Sequence, residues 1–186
     1  IIGPGTIAQV FAKGLADSRA GTLAAIATRN PNRPELVEHF PGARVHHGYA
    51  ALLCDPEVDA VYIATPHPAH AEWSIKAAEA GKHALVEKPM ALTAFEADAV
   101  IHAASKAGTF LGEGYMYRQH PQTAKLIALI REGAVGEVRM VKSSFGFAMP
   151  RFDPGHRLYA NHLAGGGVLD VGRYPVSMAR LIAGAV

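Results

Sequence analysis

Ile1-Ile2-Gly3-Pro4-Gly5-Thr6-Ile7-Ala8 decides how the rest of the chain is read. Two apolar residues form the stub of a strand. A G-x-G-x-x-A run follows, and the next residues open a helix. In that setting Gly3 permits a tight turn, Gly5 lets a pyrophosphate approach the backbone, and Ala8 lets the helix sit close to the strand. The free N–H groups at Thr6 and Ile7, with the positive end of the helix, favour phosphate. Alone, the run also fits an ordinary glycine turn. Its strand-to-helix setting favours a dinucleotide.

Outward from this turn, short β-like runs alternate with amphipathic helical patterns. Ile7, Val10, Phe11 and Leu15 fall at helical spacing, which predicts a helix over 6–17. Strands are predicted over 23–28, 44–46, 58–64, 83–87 and 109–112. Between them 69–80 reads as a helix that stops at Gly81. Thr93-Ala94-Phe95-Glu96 is a capping box, so another helix starts there and stops at Gly108. This alternation predicts an α/β fold: a doubly wound parallel sheet with helices on both faces.

The character changes after Tyr117. Pro121 to Glu132 is one helix. Glu137 to Phe147 is rich in β-branched and aromatic residues and reads as the first long strand of a larger, mixed sheet. A polar loop over 148–164 leads to Gly165-Gly166-Gly167 and an apolar helix. The expected division is a dinucleotide-binding domain over 1–118 and the start of a second α+β domain over 119–186.

Of the 186 residues, 49% are hydrophobic and 18% charged, which excludes a disordered or fibrous chain. The net charge of +2 is too small for a nucleic-acid surface. The single cysteine, Cys54, makes neither an internal disulfide nor a zinc site. No apolar run reaches the roughly 18 residues of a membrane span. The chain opens without methionine and closes directly after an apolar helical pattern. Both ends therefore read as cuts through a longer protein, with any targeting segment before Ile1.

Five further places carry candidate chemistry. An acidic residue after the second strand would bind the ribose of NAD; here Thr28-Arg29-Asn30 stands there instead. Arg29 suits a 2′-phosphate, which favours NADP, with NAD as second choice. Thr65-Pro66-His67 ends the fourth strand, where open α/β sheets bind ligands, and His70 opens the next helix. Glu87-Lys88-Pro89 ends the fifth strand and places Lys88 at the rim of the sheet. Asp170 and Tyr174 are one helical turn apart and share a face. Arg157 lies in the polar loop before them. Each has an ordinary reading as well: a solvated arginine or lysine, a structural histidine, a capping aspartate. His46 and His47 lack a partner at metal-ligand spacing, and no metal site is expected.

Taken in order, the glycine run, Glu87-Lys88-Pro89 and Gly-Gly-Gly-x-x-Asp-x-Gly-x-Tyr over 165–174 resemble the glucose-fructose oxidoreductase / inositol dehydrogenase / rhizopine-catabolism family. Tyr174 stands where many members carry His, which is more similar to the glucose-fructose oxidoreductase and dihydrodiol dehydrogenase branch. The resemblance covers the whole chain and implies a protein of roughly twice this length. It implies an NADP-dependent oxidoreductase of a sugar, polyol or dihydrodiol. Lys88, Asp170 and Tyr174 would be catalytic, and Arg157 would join them as a substrate contact. Gly3, Gly5, Thr6, Ile7, Thr28, Arg29, Thr65, Pro66, His70, Glu87 and Lys88 would hold the cofactor. His67 stands where an Asn is common. A cis Lys88–Pro89 bond, a homo-oligomer formed through the C-terminal sheet and a cytoplasmic location are also implied, with a periplasmic form as the alternative to the last. A non-catalytic nucleotide-sensing regulator of the same fold is the competing reading, as is an inactive fragment.

Overall fold

The computed structural model describes residues 1–184. They divide into two compact units, Ile1–Gly114 and the residues from Tyr115 onward. The first unit is built on strands β1 (Ala25–Thr28), β2 (Arg44–His47), β3 (Ala60–Ile63), β4 (His83–Val86) and β5 (Leu111–Glu113), all paired in parallel. Ile2 bridges Ala27 on one side and Ile63 on the other. The order across the sheet is therefore β2, β1, Ile1–Ile2, β3, β4, β5. From Ile2 the chain passes through α1 (Thr6–Ala16) to β1 on one side, and later returns to β3 on the other. That reversal is the point at which an open α/β sheet takes a ligand, outside the carboxyl ends of its strands.

Successive strand side chains point to opposite faces, and both faces are covered. Ile1, Ile26 and Tyr62 pack with Ala8, Leu36 and Phe40 on one side. Ile2, Ala27, Val61, Ile63 and Val86 pack with Leu52 and Ala77 on the other. This double burial explains why β1 reads as an apolar run closed by Thr28, all four residues buried, rather than an alternating one.

Helices α4 (His70–Glu79) and α5 (Ala94–Ala107) fall where the sequence places them. The Thr93 hydroxyl caps α5 by accepting the Glu96 N–H at 3.1 Å. The Glu96 carboxylate reaches one residue beyond the usual capping box, to the Leu92 N–H at 2.8 Å. Two short helices, α2 (Glu35–His39) and α3 (Tyr49–Leu53), are additions to the sequence reading.

Asp55, just past α3, ties three segments together. Its carboxylate accepts from Arg44 at 2.8 Å and from the Glu57 N–H at 2.9 Å, and lies 2.9 Å from His46 Nε2. The Arg44 bond, then the Glu57 N–H, hold its pKa down at about 2. A carboxylate so depressed stabilises the fold above its ordinary pKa of 3.8 and loses that contribution as pH falls through about 2. Asp55→Asn is therefore expected to lower Tm at neutral pH, the gap to the unmodified protein closing as pH falls from about 5 toward about 2. Thermal melts across that range check it. A gap that is constant with pH counts against the ion pair.

The second unit holds α6 (Pro121–Arg131) and α7 (Arg173–Ile182). The expected strand over 137–147 does not form. Every residue in it is exposed, and among the described residues no strand pairs with it. Strand propensity needs a neighbouring ladder to become a strand. The helix expected after Gly165-Gly166-Gly167 starts as one wide turn, Val168–Gly172, before α7.

Candidate active site and cofactor cleft

Gly3 turns the chain with φ 85°, and a Cβ there would lie 3.0 Å from the Ala64 carbonyl oxygen. Both backbone conformation and space therefore require glycine. At Gly5 the situation is the reverse: it is exposed, and an added Cβ meets nothing within 4 Å. Helix α1 begins without a side-chain cap, so the first-turn N–H groups around Thr6 and Ile7 are available to a ligand. Beside Gly3, Thr65 is buried, and its hydroxyl finds no hydrogen-bond partner among the described residues. A tight turn, open room over Gly5, uncapped amides and an orphaned hydroxyl together fit the phosphates of a dinucleotide.

Arg29 leaves the carboxyl end of β1 and is exposed. Thr28 is used locally, its Oγ1 accepting the Asn30 N–H at 3.2 Å. The first carboxylate after β1 is Glu35, and Arg33 holds it at 2.8 Å. The edge of the cleft thus presents an arginine where an acidic residue would select against a 2′-phosphate.

The Lys88–Pro89 peptide bond is cis. The segment around it is held from several sides. The Tyr62 hydroxyl donates to Glu87 Oε1 at 2.5 Å, and Phe11 stacks on the Tyr62 ring at 3.9 Å. Burial, then the Glu87 carboxylate, push the Tyr62 phenol well above its ordinary value, so it remains a donor. Glu113, at the end of β5, accepts the Met90 N–H at 2.9 Å. Pro66 is exposed, whereas His67 is buried. His70, expected among the cofactor contacts, is 1% exposed, and its ring nitrogens lie 2.6 Å from the Pro89 carbonyl and 2.7 Å from the Thr65 carbonyl. Its ring thus braces the chain's own backbone. Sequence spacing missed Tyr62 and Glu113; the signal was there in a second acid, Glu113, at a strand exit.

In the second unit, Asp170 is buried on the wide turn and pairs with Arg157 at 3.2 Å. Tyr174 follows on α7, ringed by Tyr115, Tyr117 and Phe145 at 5.5, 5.7 and 5.1 Å between ring centres. The Tyr117 hydroxyl donates to Ser177 at 2.7 Å. The triple glycine has a local use: a Cβ at Gly165 would come within 2.8 Å of the Tyr159 carbonyl carbon. The close approach is to the chain's own backbone.

Residues 1–115 match the Gfo/Idh/MocA oxidoreductase family model, described as an NAD-binding Rossmann fold, and residues 123–186 match the C-terminal domain of the same family. The chain belongs to this family. It is 42% identical over 168 residues to D-xylose 1-dehydrogenase (NADP(+)) 2 of Haloferax volcanii, covering 87% of this chain and 49% of that protein. It is 34% identical over 188 residues to trans-1,2-dihydrobenzene-1,2-diol dehydrogenase of Mus musculus, covering 100% of this chain and 56% of the enzyme. A 3-ketoreductase from Actinomadura kijaniata, solved with NADP and TDP-benzene, aligns with a TM-score of 0.85 at 34% identity, covering 98% of this chain and 56% of that one. The chain spans about half the length of the curated relatives it matches. No helix among the described residues is long and apolar enough to cross a membrane.

Proposed function

We propose that the full-length protein is an NADP-dependent oxidoreductase that moves a hydride between the cofactor and a secondary alcohol or carbonyl of a sugar, polyol or dihydrodiol. The observation that carries this is the corner at the sheet's reversal point. The Gly3 turn and the uncapped start of α1 follow the Ile1–Ile2 position, and the Lys88 exit of β4 lies two positions away across β3, all at the carboxyl ends of the strands of one parallel sheet. The named relatives act on sugars and diols, which supports the substrate class.

In this reading Thr6 and Ile7 hold pyrophosphate on their N–H groups, and Thr65 and Pro66 line the cleft. Arg29 pairs with the 2′-phosphate. A bound nicotinamide supplies the hydride chemistry. Tyr174 takes the proton from the substrate hydroxyl, and Lys88 stabilises the phenolate that accepts it. Asp170 and Arg157, already paired, orient the substrate's other hydroxyls. The segment 137–147 joins a sheet in the rest of the protein, through which copies associate in the cytoplasm. Light scattering and cell fractionation test those last two points.

Arg29 gives the most direct test of the cofactor. Pairing Arg with an exposed phosphate contributes on the order of 1–3 kcal/mol, a factor of about ten to a hundred. Arg29→Ala should therefore weaken NADP by that factor and leave NAD within about twofold. Titrations of both cofactors check it, and tighter NAD than NADP in the unmodified protein refutes the selection. A panel of sugars, polyols and dihydrodiols, read by nicotinamide absorbance, tests the activity. Cofactor binding with no turnover across the panel would favour a regulator.

A further inference from the structure

We propose that His70 is a standing imidazolium, a buried cation that donates to the Thr65 and Pro89 carbonyls at once and so positions Lys88. The positioning half rests on the oxidoreductase reading above; the charge does not.

A carbonyl oxygen only accepts. A neutral imidazole has one N–H and one lone pair, whereas an imidazolium has an N–H on each nitrogen. Here Nδ1 is 2.6 Å from the Pro89 oxygen and Nε2 is 2.7 Å from the Thr65 oxygen, with the residue 1% exposed. In this orientation a neutral ring would aim a lone pair at one of these oxygens at contact distance in either tautomer, and a flipped ring would set carbons against both and make neither hydrogen bond. Both separations are also at the short end for N–H···O, where charge-assisted bonds lie.

The surroundings set the balance. His67 faces His70 with ring centres 5.7 Å apart. Glu87 and Lys88 precede Pro89, and Glu113 reaches the same segment at Met90. On its own helix Glu72 is exposed and engaged with Lys76; on α5, packed along α4, Glu96 is engaged at Leu92 and Asp98 is exposed. The positive end of α4 opposes a cation. Glu87, in the 87–90 segment, and Glu113, which reaches that segment at Met90, bring negative charge to it.

The mechanical consequence follows from where the two oxygens belong. Thr65 follows β3 and Pro89 follows β4, so one ring spans two neighbouring strand exits. Pro89 is the residue after Lys88. With Glu87 held by Tyr62 and Met90 by Glu113, the bracket at Pro89 completes a frame around the lysine backbone.

The test uses the full-length protein with ¹⁵N-labelled histidine, the His70 signals being identified by their loss in His70→Gln. Both ring nitrogens are expected in the protonated range from about pH 6 to about pH 8.5, beyond the ordinary histidine pKa near 6.5. One unprotonated nitrogen at about pH 7.5 overturns the cation. Gln can donate to only one of the carbonyls. His70→Gln should therefore lower kcat about tenfold while KM for the substrate stays within about threefold, the signature of a misplaced catalytic group. Loss of thermal stability with unchanged kcat per folded molecule overturns the positioning. Absence of turnover in the unmodified protein would instead sink the oxidoreductase reading and leave the nitrogen measurement standing.

Discussion

Lys88→Met is expected to lower turnover of the full-length protein by about a thousandfold while leaving its affinity for NADP within a few-fold. The size follows from the proton that must move. A tyrosine phenol with a reference pKa of about 10 is a poor base at neutral pH, and bringing it to about 7 requires about 4 kcal/mol. A unit positive charge about 4 Å away, at an effective dielectric near 20, supplies about that much. Removing the lysine charge while keeping a stem of similar bulk therefore forfeits about three powers of ten. In the proposed reading NADP affinity stays close because the phosphates rest on the Gly3 turn and Arg29, and Lys88 adds only one contact among several. Lys88→Arg is the informative companion. It keeps the charge, but on a planar fork of different reach, so partial recovery is expected. Stopped-flow measurement of the hydride step with NADP saturating would check both. A Lys88→Met protein with turnover within tenfold of the parent would remove Lys88 from the chemistry.

The same lysine shows how far the sequence was legible. A charged pair and a proline at the end of a buried strand pointed to the sheet rim, and the structure has Lys88 at the exit of β4. What spacing could not give is the frame around it. Tyr62 sits in β3 as one more apolar-looking strand residue, yet its hydroxyl reaches Glu87, twenty-five residues on. His70 looked like a ligand contact because it opens a helix beside the cleft. Where its two nitrogens go depends on the fold of Pro89, nineteen residues away. Helices α2 and α3 escaped because five residues are too few to show a 3.6-residue period, and neither carries a side-chain cap. The 137–147 segment failed in the opposite sense. Its composition is that of a strand, but a strand is completed by a neighbour, and composition does not report the neighbour. Strand-to-helix motifs such as Gly3 to Ala8 are legible because every group they need lies within one turn.

Tyr174→Phe should lower turnover by about a hundredfold or more with cofactor binding nearly intact. The substitution removes one oxygen and keeps the ring, so the packing against Tyr115, Tyr117 and Phe145 survives. A hydroxyl with only a structural duty predicts the other pattern: a lower Tm and unchanged turnover per folded molecule. The decisive measurement is the double variant. If Lys88 acts by stabilising the Tyr174 phenolate, it has nothing to stabilise once the hydroxyl is gone. The double variant should then turn over no more slowly than the worse single one, since groups acting as a unit are strongly non-additive. Independent roles predict that the two losses multiply, to about a hundred-thousandfold. Asp170 offers the contrast. It is paired with Arg157 in the same unit as Tyr174, so its loss leaves a charge without its partner and should act on substrate affinity as well as on turnover. Asp170→Asn is therefore expected to raise KM, whereas Tyr174→Phe is not. Equal KM changes in the two variants would place both residues in substrate binding and leave the proton without a carrier.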